Sequence, residues 1–512
     1  MRGVYNSVTD IRRKVFAAIA DMAYSDDIDY KQKMEAIPYE IIQGKQAKYR
    51  DSVFLERAIV GERLRLGMGL PVRDFTQAGA VSDGVEASII AEKFYDQPLV
   101  NIISFACNAC PEKKVMVTNA CQGCLSHQCV EVCPKKAVSI VDGHSEIDQD
   151  LCIKCGKCME ACPYHAIVKI ERPCAASCGM NAIGSDEEGK AVINYDKCVS
   201  CGQCLVNCPF GAIVDKGQIF QTIHAMRSGH DVIAAVAPAF IGQFGNGVTP
   251  EKVIAALKEL GFADVVEVAI GADLCTIEEA EDFMDKVPEK QPFMATSCCP
   301  AWSVMAKKEF PQFKDYISMA LTPMVLTARL IKKKNPDAKV CFIGPCAAKK
   351  LEASRRSIRS DVDFVLTFEE VMGMFHAKNI DLPQVVAEET FHTGTAAGRE
   401  FAVSGGVAKA VKTLIEKNNP GTTVKVQAAE GLKNCRTMLM MAKAGRLNGY
   451  LLEGMACPGG CVAGAGTLAP ISKAAAQVKK YANEDEMKLA DESKYSDMVH
   501  DISHMYDAPA ED

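Results

Sequence analysis

From residue 231 onward, short apolar runs alternate with longer amphipathic stretches. Residues 231–240 (DVIAAVAPAF) read as a buried strand ending in Ala237-Pro238-Ala239. Residues 251–260 read as an amphipathic helix and residues 263–270 as a second strand. Further strand candidates are 291–295, 339–343, 362–367, 424–428 and 450–452, with helical spacing between them. Strands alternating with helices predict α/β layers. Ahead of this region, residues 8–23 and 53–66 mix apolar and charged positions at helical spacing. Residues 1–100 therefore read as a helical cap or docking region without a chemical motif. The stretch 471–512 is charged and reads as a solvated helix followed by a frayed terminus.

A chain of 512 residues predicts two or more domains. The net charge of −7 comes without a basic block, which argues against nucleic acid as a partner. Residues 1–13 lack an apolar signal region, and no apolar run reaches membrane-spanning length. A cytoplasmic protein without a membrane span is the expectation.

Cysteine changes that picture. There are 24, and 16 of them lie between Cys107 and Cys208. In a reducing cytosol, dense cysteines at short fixed spacing mean metal rather than disulfides. Cys152, Cys155, Cys158 and Cys162, followed by Pro163, form a complete 4Fe–4S ferredoxin signature. Cys198, Cys201, Cys204 and Cys208, followed by Pro209, repeat it, and Cys121, Cys124, Cys129 and Cys133 are the same device with a longer middle loop. Three thiolates on one tight loop bind three irons of a cubane, and the fourth, just before proline, reaches the partner cluster. Zinc uses similar Cys-x-x-Cys pairs but not this four-cysteine run ending in proline.

The swapped fourth ligand predicts one cluster on Cys121, Cys124, Cys129 and Cys162, and another on Cys152, Cys155, Cys158 and Cys133. A third falls on Cys198, Cys201 and Cys204, with Cys178 of Cys174-x3-Cys178 as the outside ligand. Cys107, Cys110, Cys174 and Cys208 remain, so a fourth N-terminal cluster is arithmetically possible. Against it, Cys107-x2-Cys110 is remote in sequence and Gly179 stands where proline is expected. The expected segments are 101–172, with two clusters, and 173–222, with the rest.

Three strand candidates end in cysteine-bearing segments. These are Thr296-Ser297-Cys298-Cys299-Pro300-Ala301-Trp302, Gly344-Pro345-Cys346-Ala347-Ala348-Lys349-Lys350, and Glu453-Gly454-Met455-Ala456-Cys457-Pro458-Gly459-Gly460-Cys461. Ligands of open α/β sheets sit beyond the carboxyl ends of strands, so Cys299, Cys346, Cys457 and Cys461 can supply four thiolates to one site. Soft thiolates in fours suit an iron–sulfur cluster or zinc.

These segments resemble the three signature motifs of iron-only (FeFe) hydrogenases, and residues 230–470 resemble that family's catalytic domain in order. The departures, Ala301, Gly344, Ala463 and Ala465, resemble the divergent branch often called group B. The resemblance implies a two-lobed α/β catalytic domain of twisted sheets flanked by helices. Ferredoxin-like α+β 4Fe–4S domains and the helical N-terminal region precede it. It implies a 4Fe–4S cluster on Cys299, Cys346, Cys457 and Cys461, with Cys461 bridging to a two-iron unit that carries carbon monoxide, cyanide and a dithiolate. Ala237, Pro238 and Ala239 would line that site, Lys349 would pair with a cyanide, and Met455 would pack on the irons. Gly344 removes a second such methionine, and Met324 replaces a glutamine.

Cys298 would move protons, continuing through Ser318 and two carboxylates. Those are Glu278 with Glu281, or Glu279 with Asp282, depending on a one-residue shift; either pair lies at i, i+3 on one helical face. A solvated acidic helix start is an equally good reading of that stretch. Cys275, Cys341 and Cys435 read as core packing.

The implied activity is reversible interconversion of H2 with protons and electrons. Electrons would pass through three or four N-terminal clusters to ferredoxin or a similar redox protein, and maturation proteins would supply the H-cluster. Two other readings stand beside it: a hydrogen sensor, and a Nar-type iron–sulfur assembly protein lacking the two-iron unit. His392 to Gly398 and Ser404-Gly405-Gly406-Val407 read as tight turns into helices rather than phosphate loops.

Overall fold

The computed structural model describes residues 3–26, 29–90, 95, 97–355, 361–387 and 394–505. Three helices open the chain: α1 (Ser7–Tyr24), α2 (Tyr30–Ile41) and α3 (Val53–Gly67). Each starts on a capping side chain, Asn6, Asp29 and Ser52, that accepts from backbone N–H groups of the first turn. The expected cap is there, but it is not a separate module. Val15, Phe16 and Ile19 of α1 join the main core.

Eight short strands follow in antiparallel pairs. β1 (Val100–Ile102) pairs with β8 (Ile213–Asp215), and β2 (Lys114–Val117) pairs with β5 (Ile167–Ile170). β3 (Val138–Val141) and β4 (His144–Ile147) form a hairpin, as do β6 (Ile183–Ser185) and β7 (Ala191–Ile193). The pairing is nested. The β2–β5 unit closes entirely between β1 and β8, so one ferredoxin-like unit is inserted into another. The expected division at residue 172 is corrected accordingly, because β1 belongs with β8 on the far side of it.

The remaining strands form two parallel sheets. β9 (Val232–Val236), β10 (Asp264–Glu267), β12 (Lys339–Gly344) and β13 (Phe364–Thr367) lie in the order β10-β9-β12-β13. β11 (Phe293–Ala295), β14 (Lys425–Glu430) and β15 (Tyr450–Met455) lie in the order β11-β15-β14. Helices flank both, as parallel sheets require. The strand expected over 263–270 stops at Glu267, and α4 (Ala269–Lys286) begins almost at once. Glu267 is held there by Arg399, whose Nε lies 2.8 Å from Oε1.

The first sheet packs against α5 (Phe368–Ala377), which α1 crosses. A Cβ on Gly373 would sit 2.4 Å from Cβ of Phe16, so this crossing requires glycine. Lys350 ties the front half to this sheet: its buried Nζ lies 2.7 Å from Asp215 Oδ2 and 3.0 Å from Glu370 Oε1. Between β14 and β15 of the second sheet runs α6 (Leu432–Lys443), which buries Leu432, Cys435 and Leu439.

The tail departs from expectation. Ala474, Val478 and Ala482 line one buried face of α7 (Ile471–Glu484), and Asp485 pairs with Arg399. Further on, α8 (Val499–Ser503) docks through fully buried Ile502, with Arg329 Nη1 donating to the Ser503 carbonyl at 2.6 Å. Small apolar residues at i, i+4 spacing turn a charged helix into a packed one. Residues 506–512 and His392 lie outside the described residues.

Candidate functional site

Four loops leave the carboxyl ends of β9, β11, β12 and β15 and line one cavity. They deliver Ala237, Pro238, Ala239, Cys298, Cys299, Cys346, Lys349, Met455, Cys457 and Cys461, all of which the sequence singled out. Close packing fixes the loops against each other. A Cβ on Gly454 would lie 2.2 Å from Cδ2 of Trp302, and one on Gly464 would lie 2.3 Å from the Pro345 carbonyl oxygen. Trp302 is fully buried and donates from Nε1 to the Thr296 carbonyl at 3.0 Å. Each motif is therefore a packing partner of another, beyond the residues that carry chemistry.

The cavity wall is otherwise apolar. Phe342, Phe401 and Met324 complete it, and of these only Met324 was singled out from sequence. Phe342 explains Gly344: a Cβ there would sit 2.5 Å from Cε1 of the Phe342 ring. The phenyl ring fills space that a methionine at 344 would need. Alternation along β12 places 342 and 344 on the same face, which is the signal that could have found it.

Burial pushes the thiols of Cys298, Cys299, Cys457 and Cys461 above the ordinary range, and that of Cys346 up to about 11. A bound metal reverses that preference by taking the thiolate. Burial also opposes the Lys349 ammonium, but Glu352 at 2.8 Å and the sulfurs of Cys346 and Cys298 raise its pKa nonetheless. The donor set suits a sulfur-bound metal group: the four motif thiols, the Cys298 thiol and one ammonium share a largely apolar chamber, with Cys201 of the front half at its edge. Among the described residues, no three His, Cys, Asp or Glu side chains close on a single metal ion.

The carboxylates differ sharply. Glu279 is fully buried on α4; its Oε1 accepts from the Ser297 N–H at 3.1 Å, and its Oε2 has no hydrogen-bond partner among the described residues. Burial pushes its carboxyl up to about 8. Asp282, half-buried, pairs with Lys286 at 2.9 Å. Glu278 accepts from Ser503 Oγ at 3.2 Å, and exposed Glu281 lies 3.6 Å from His500. Ser318 is buried, its N–H donating to the Ala295 carbonyl at 2.7 Å. Cys275, one turn before Glu279, is buried in the same core as Cys298.

In the front half, Cys129 and Cys158 form a small core with Cys133, Cys152 and Cys162 packed on it. Cys121 and Cys124 are half-exposed and Cys155 is exposed on this inserted unit. Backbone N–H groups of Ser145 and Gly123 hold the Cys121 thiol down at about 7. Cys178, Cys198 and Cys201 pack beside the core of Trp302, and Cys201 also lines the main cavity. Cys204 is half-buried, with the sulfurs of Cys201, Cys198 and Cys178 around it. Cys107, Cys110, Cys174 and Cys208 line a separate cavity.

One backbone device recurs: the N–H four residues on points to Sγ at Cys133, Cys178 and Cys208, at 3.2, 3.3 and 3.4 Å. Cys178 thus sits in the same local structure as the two cysteines that precede proline. Cys341 and Cys435 are buried in the core, as expected. The turn before Gly406 holds an internal carboxylate: Glu453 accepts from the N–H groups of Gly405 and Ala408 at 2.7 and 2.8 Å. That leaves no phosphate cradle.

The chain is similar to known proteins in both its front half and its catalytic-type half. Residues 230–465 match the C-terminal domain of the iron only hydrogenase large subunit, and residues 145–168 and 191–214 match the 4Fe-4S binding domain. The chain is 29% identical to the NADP-reducing hydrogenase subunit HndD of Solidesulfovibrio fructosivorans, over 62% of this chain and 56% of that one. It is 30% identical to the periplasmic Fe hydrogenase large subunit of Nitratidesulfovibrio vulgaris, over 46% of this chain and 68% of that one. It is also 27% identical to the nuclear prelamin A recognition factor of Xenopus laevis, over 46% and 64%. The chain thus spans little more than half of the first of these relatives. Among the described residues, no helix is long and apolar enough to cross a membrane. The protein belongs to the family built on the C-terminal domain of the iron-only hydrogenase large subunit, and it carries 4Fe–4S binding domains ahead of that domain.

Proposed function

We propose that this protein is an FeFe hydrogenase that interconverts H2 with protons and electrons. Cys299, Cys346, Cys457 and Cys461 would hold a 4Fe–4S cluster, with a two-iron unit in the chamber beside it. The observation that carries the reading is that Cys298, Lys349 and Met455 line the same apolar cavity as the four candidate ligands. Residues kept for a cubane alone would not need a fifth thiol and an ammonium beside it.

When bound, the two-iron unit supplies the metal position at which H2 is made or split. The chain's own groups do the rest. Lys349 presents an ammonium to an anionic ligand, and the apolar wall excludes water, which strengthens that contact. Cys298 exchanges the proton, since it lines the cavity and is not needed as a ligand. Glu279 comes next, because it is buried near Cys298 and its raised pKa keeps a proton available near neutrality. Ser318 and Asp282 would pass the proton outward. Glu278 and Glu281 are the weaker pair, engaged with Ser503 and His500 instead.

Electrons would enter from ferredoxin or a similar redox protein through the front-half clusters, and maturation proteins would install the two-iron unit. Gln203 beside Cys457 supports entry through the cluster on Cys178, Cys198, Cys201 and Cys204. The Nar-type alternative draws on relatives such as the cytosolic Fe-S cluster assembly factor of Danio rerio, 26% identical to this chain. Hydrogen–deuterium exchange on protein matured with the H-cluster enzymes tests the choice: HD formation is expected. Its absence from fully metallated protein would leave the assembly reading.

A further inference from the structure

Four front-half cysteines remain after spacing alone has assigned the others: Cys107, Cys110, Cys174 and Cys208. All four line one cavity, closed by apolar residues that include Ile102, Phe210 and Ile213. They come from distant parts of the chain, and the nested strand pairing explains why they meet. β1 ends just before Cys107, its partner β8 begins just after Cys208, and the inserted β2–β5 unit occupies the interval between Cys110 and Cys174. The outer unit therefore keeps its first cysteine pair before the insertion and its second pair, Cys174 and Cys178, after it.

The surroundings suit an anionic group. The Ala191 and Ala212 N–H groups point at Sγ of Cys107 and Cys208, each at 3.4 Å. Arg172 donates from Nε and Nη2 to the Cys110 carbonyl at 3.2 and 2.9 Å. From α3, buried Arg63 donates from Nη2 to the Gly211 carbonyl at 2.7 Å, while its Nε and Nη1 have no hydrogen-bond partner among the described residues. Arg50 grips both flanking loops, at the Ala106 and Phe210 carbonyls, 3.1 and 3.0 Å away. The Glu369 carboxylate and the Cys208 sulfur both favour the Arg63 guanidinium, and a thiolate-bound cubane would add negative charge on the Cys208 side. The N-terminal helical region thereby gains a role.

Gly179 is not a sign of a lost site. A Cβ there would sit 2.6 Å from Cβ of Leu432, so α6 excludes proline at that position.

We propose that Cys107, Cys110, Cys174 and Cys208 hold a further 4Fe–4S cluster, split in sequence by the inserted ferredoxin-like unit. It would accept one electron from a neighbouring cluster and pass one on, with no bond made or broken. Its place is between the inserted unit, which begins just after Cys110, and the cluster site of Cys204, which packs against the same small core as Cys174 and Cys208. The proposal rests on the front half being an electron relay, and its test needs no H2 chemistry.

The test uses full-length protein, reconstituted anaerobically with iron and sulfide and without the two-iron unit. Cys110→Ala and Cys174→Ala should each lose one cubane of iron and sulfide, together with the same component of the reduced EPR spectrum. Cys178→Ala should lose a different component, and Cys435→Ala should lose none. Arg63→Gln should keep the iron count and lower one midpoint potential, because a nearby positive charge favours the reduced cluster. An unchanged iron count in Cys110→Ala and Cys174→Ala overturns the proposal, as does loss of the component that Cys178→Ala removes. Should those variants fail to fold, the wild-type chain decides. Three front-half cubanes, the catalytic one and this one make five, and Mössbauer quantitation of only four overturns it.

Discussion

Gln203 donates a hydrogen bond from Nε2 to Sγ of Cys457 at 3.1 Å. One residue belongs to the last ferredoxin-type segment and the other to the third cysteine motif of the hydrogenase-like domain. Gly202 makes the approach possible: its φ is +75°, and a Cβ there would meet Cβ of Ala465 at 2.6 Å. Hydrogen bonds to cluster sulfur stabilise the reduced state and raise the potential. Gln203→Leu should therefore lower the midpoint potential of the cluster on Cys457 by roughly tens of millivolts, taking 59 mV as a factor of ten for one electron. Redox titration followed by EPR reads this directly. An unchanged potential would remove Gln203 from the coupling.

Glu279 gives a pH signature. Its ordinary carboxylate range lies near 4.5, and burial raises it to about 8 in the fold. Between those values the unfolded chain loses a proton that the folded chain retains. Stability from this group should therefore fall as pH rises from about 4.5 to about 8, by at most about 1.4 kcal/mol per pH unit. Glu279→Gln should flatten that part of the stability profile in urea melts. A slope unchanged by the substitution would contradict the buried protonated carboxyl.

The same residue should separate from its neighbour in turnover. Glu279→Gln should cost about 10²–10⁴-fold in hydrogen production, the usual contribution of a positioned acid or base. Glu278→Gln should stay within a few-fold, since its carboxylate bonds Ser503 instead. Equal losses would mean that both lie on the route.

Much of this is legible in the sequence, and the exceptions have physical causes. The cysteine spacings and the apolar runs before Cys299, Cys346 and Cys457 place the site, because strand ends and ligand loops are local features. The carboxylate pair stays open at that level because i, i+3 spacing cannot say which face of α4 is buried. Nesting of the ferredoxin-like units cannot be read, since it depends on β1 finding β8 across the whole insertion. The docked tail escapes notice because charge dominates its composition while Ala474, Val478 and Ala482 do the packing.

Gly344 tests the packing account. Gly344→Met should overpack the Phe342 ring and cost about 1–3 kcal/mol. Adding Phe342→Ala should recover part of that loss, which a double-mutant cycle in denaturant would read. Additive losses would show that the two positions do not share space.

The infrared spectrum of the matured protein tests the central claim most directly. Bands of metal-bound carbon monoxide and cyanide are expected, and Cys298→Ala should retain them while losing turnover, because that thiol is not assigned as a ligand. Protein with full cubane iron and no such bands would contradict a two-iron centre in this chamber.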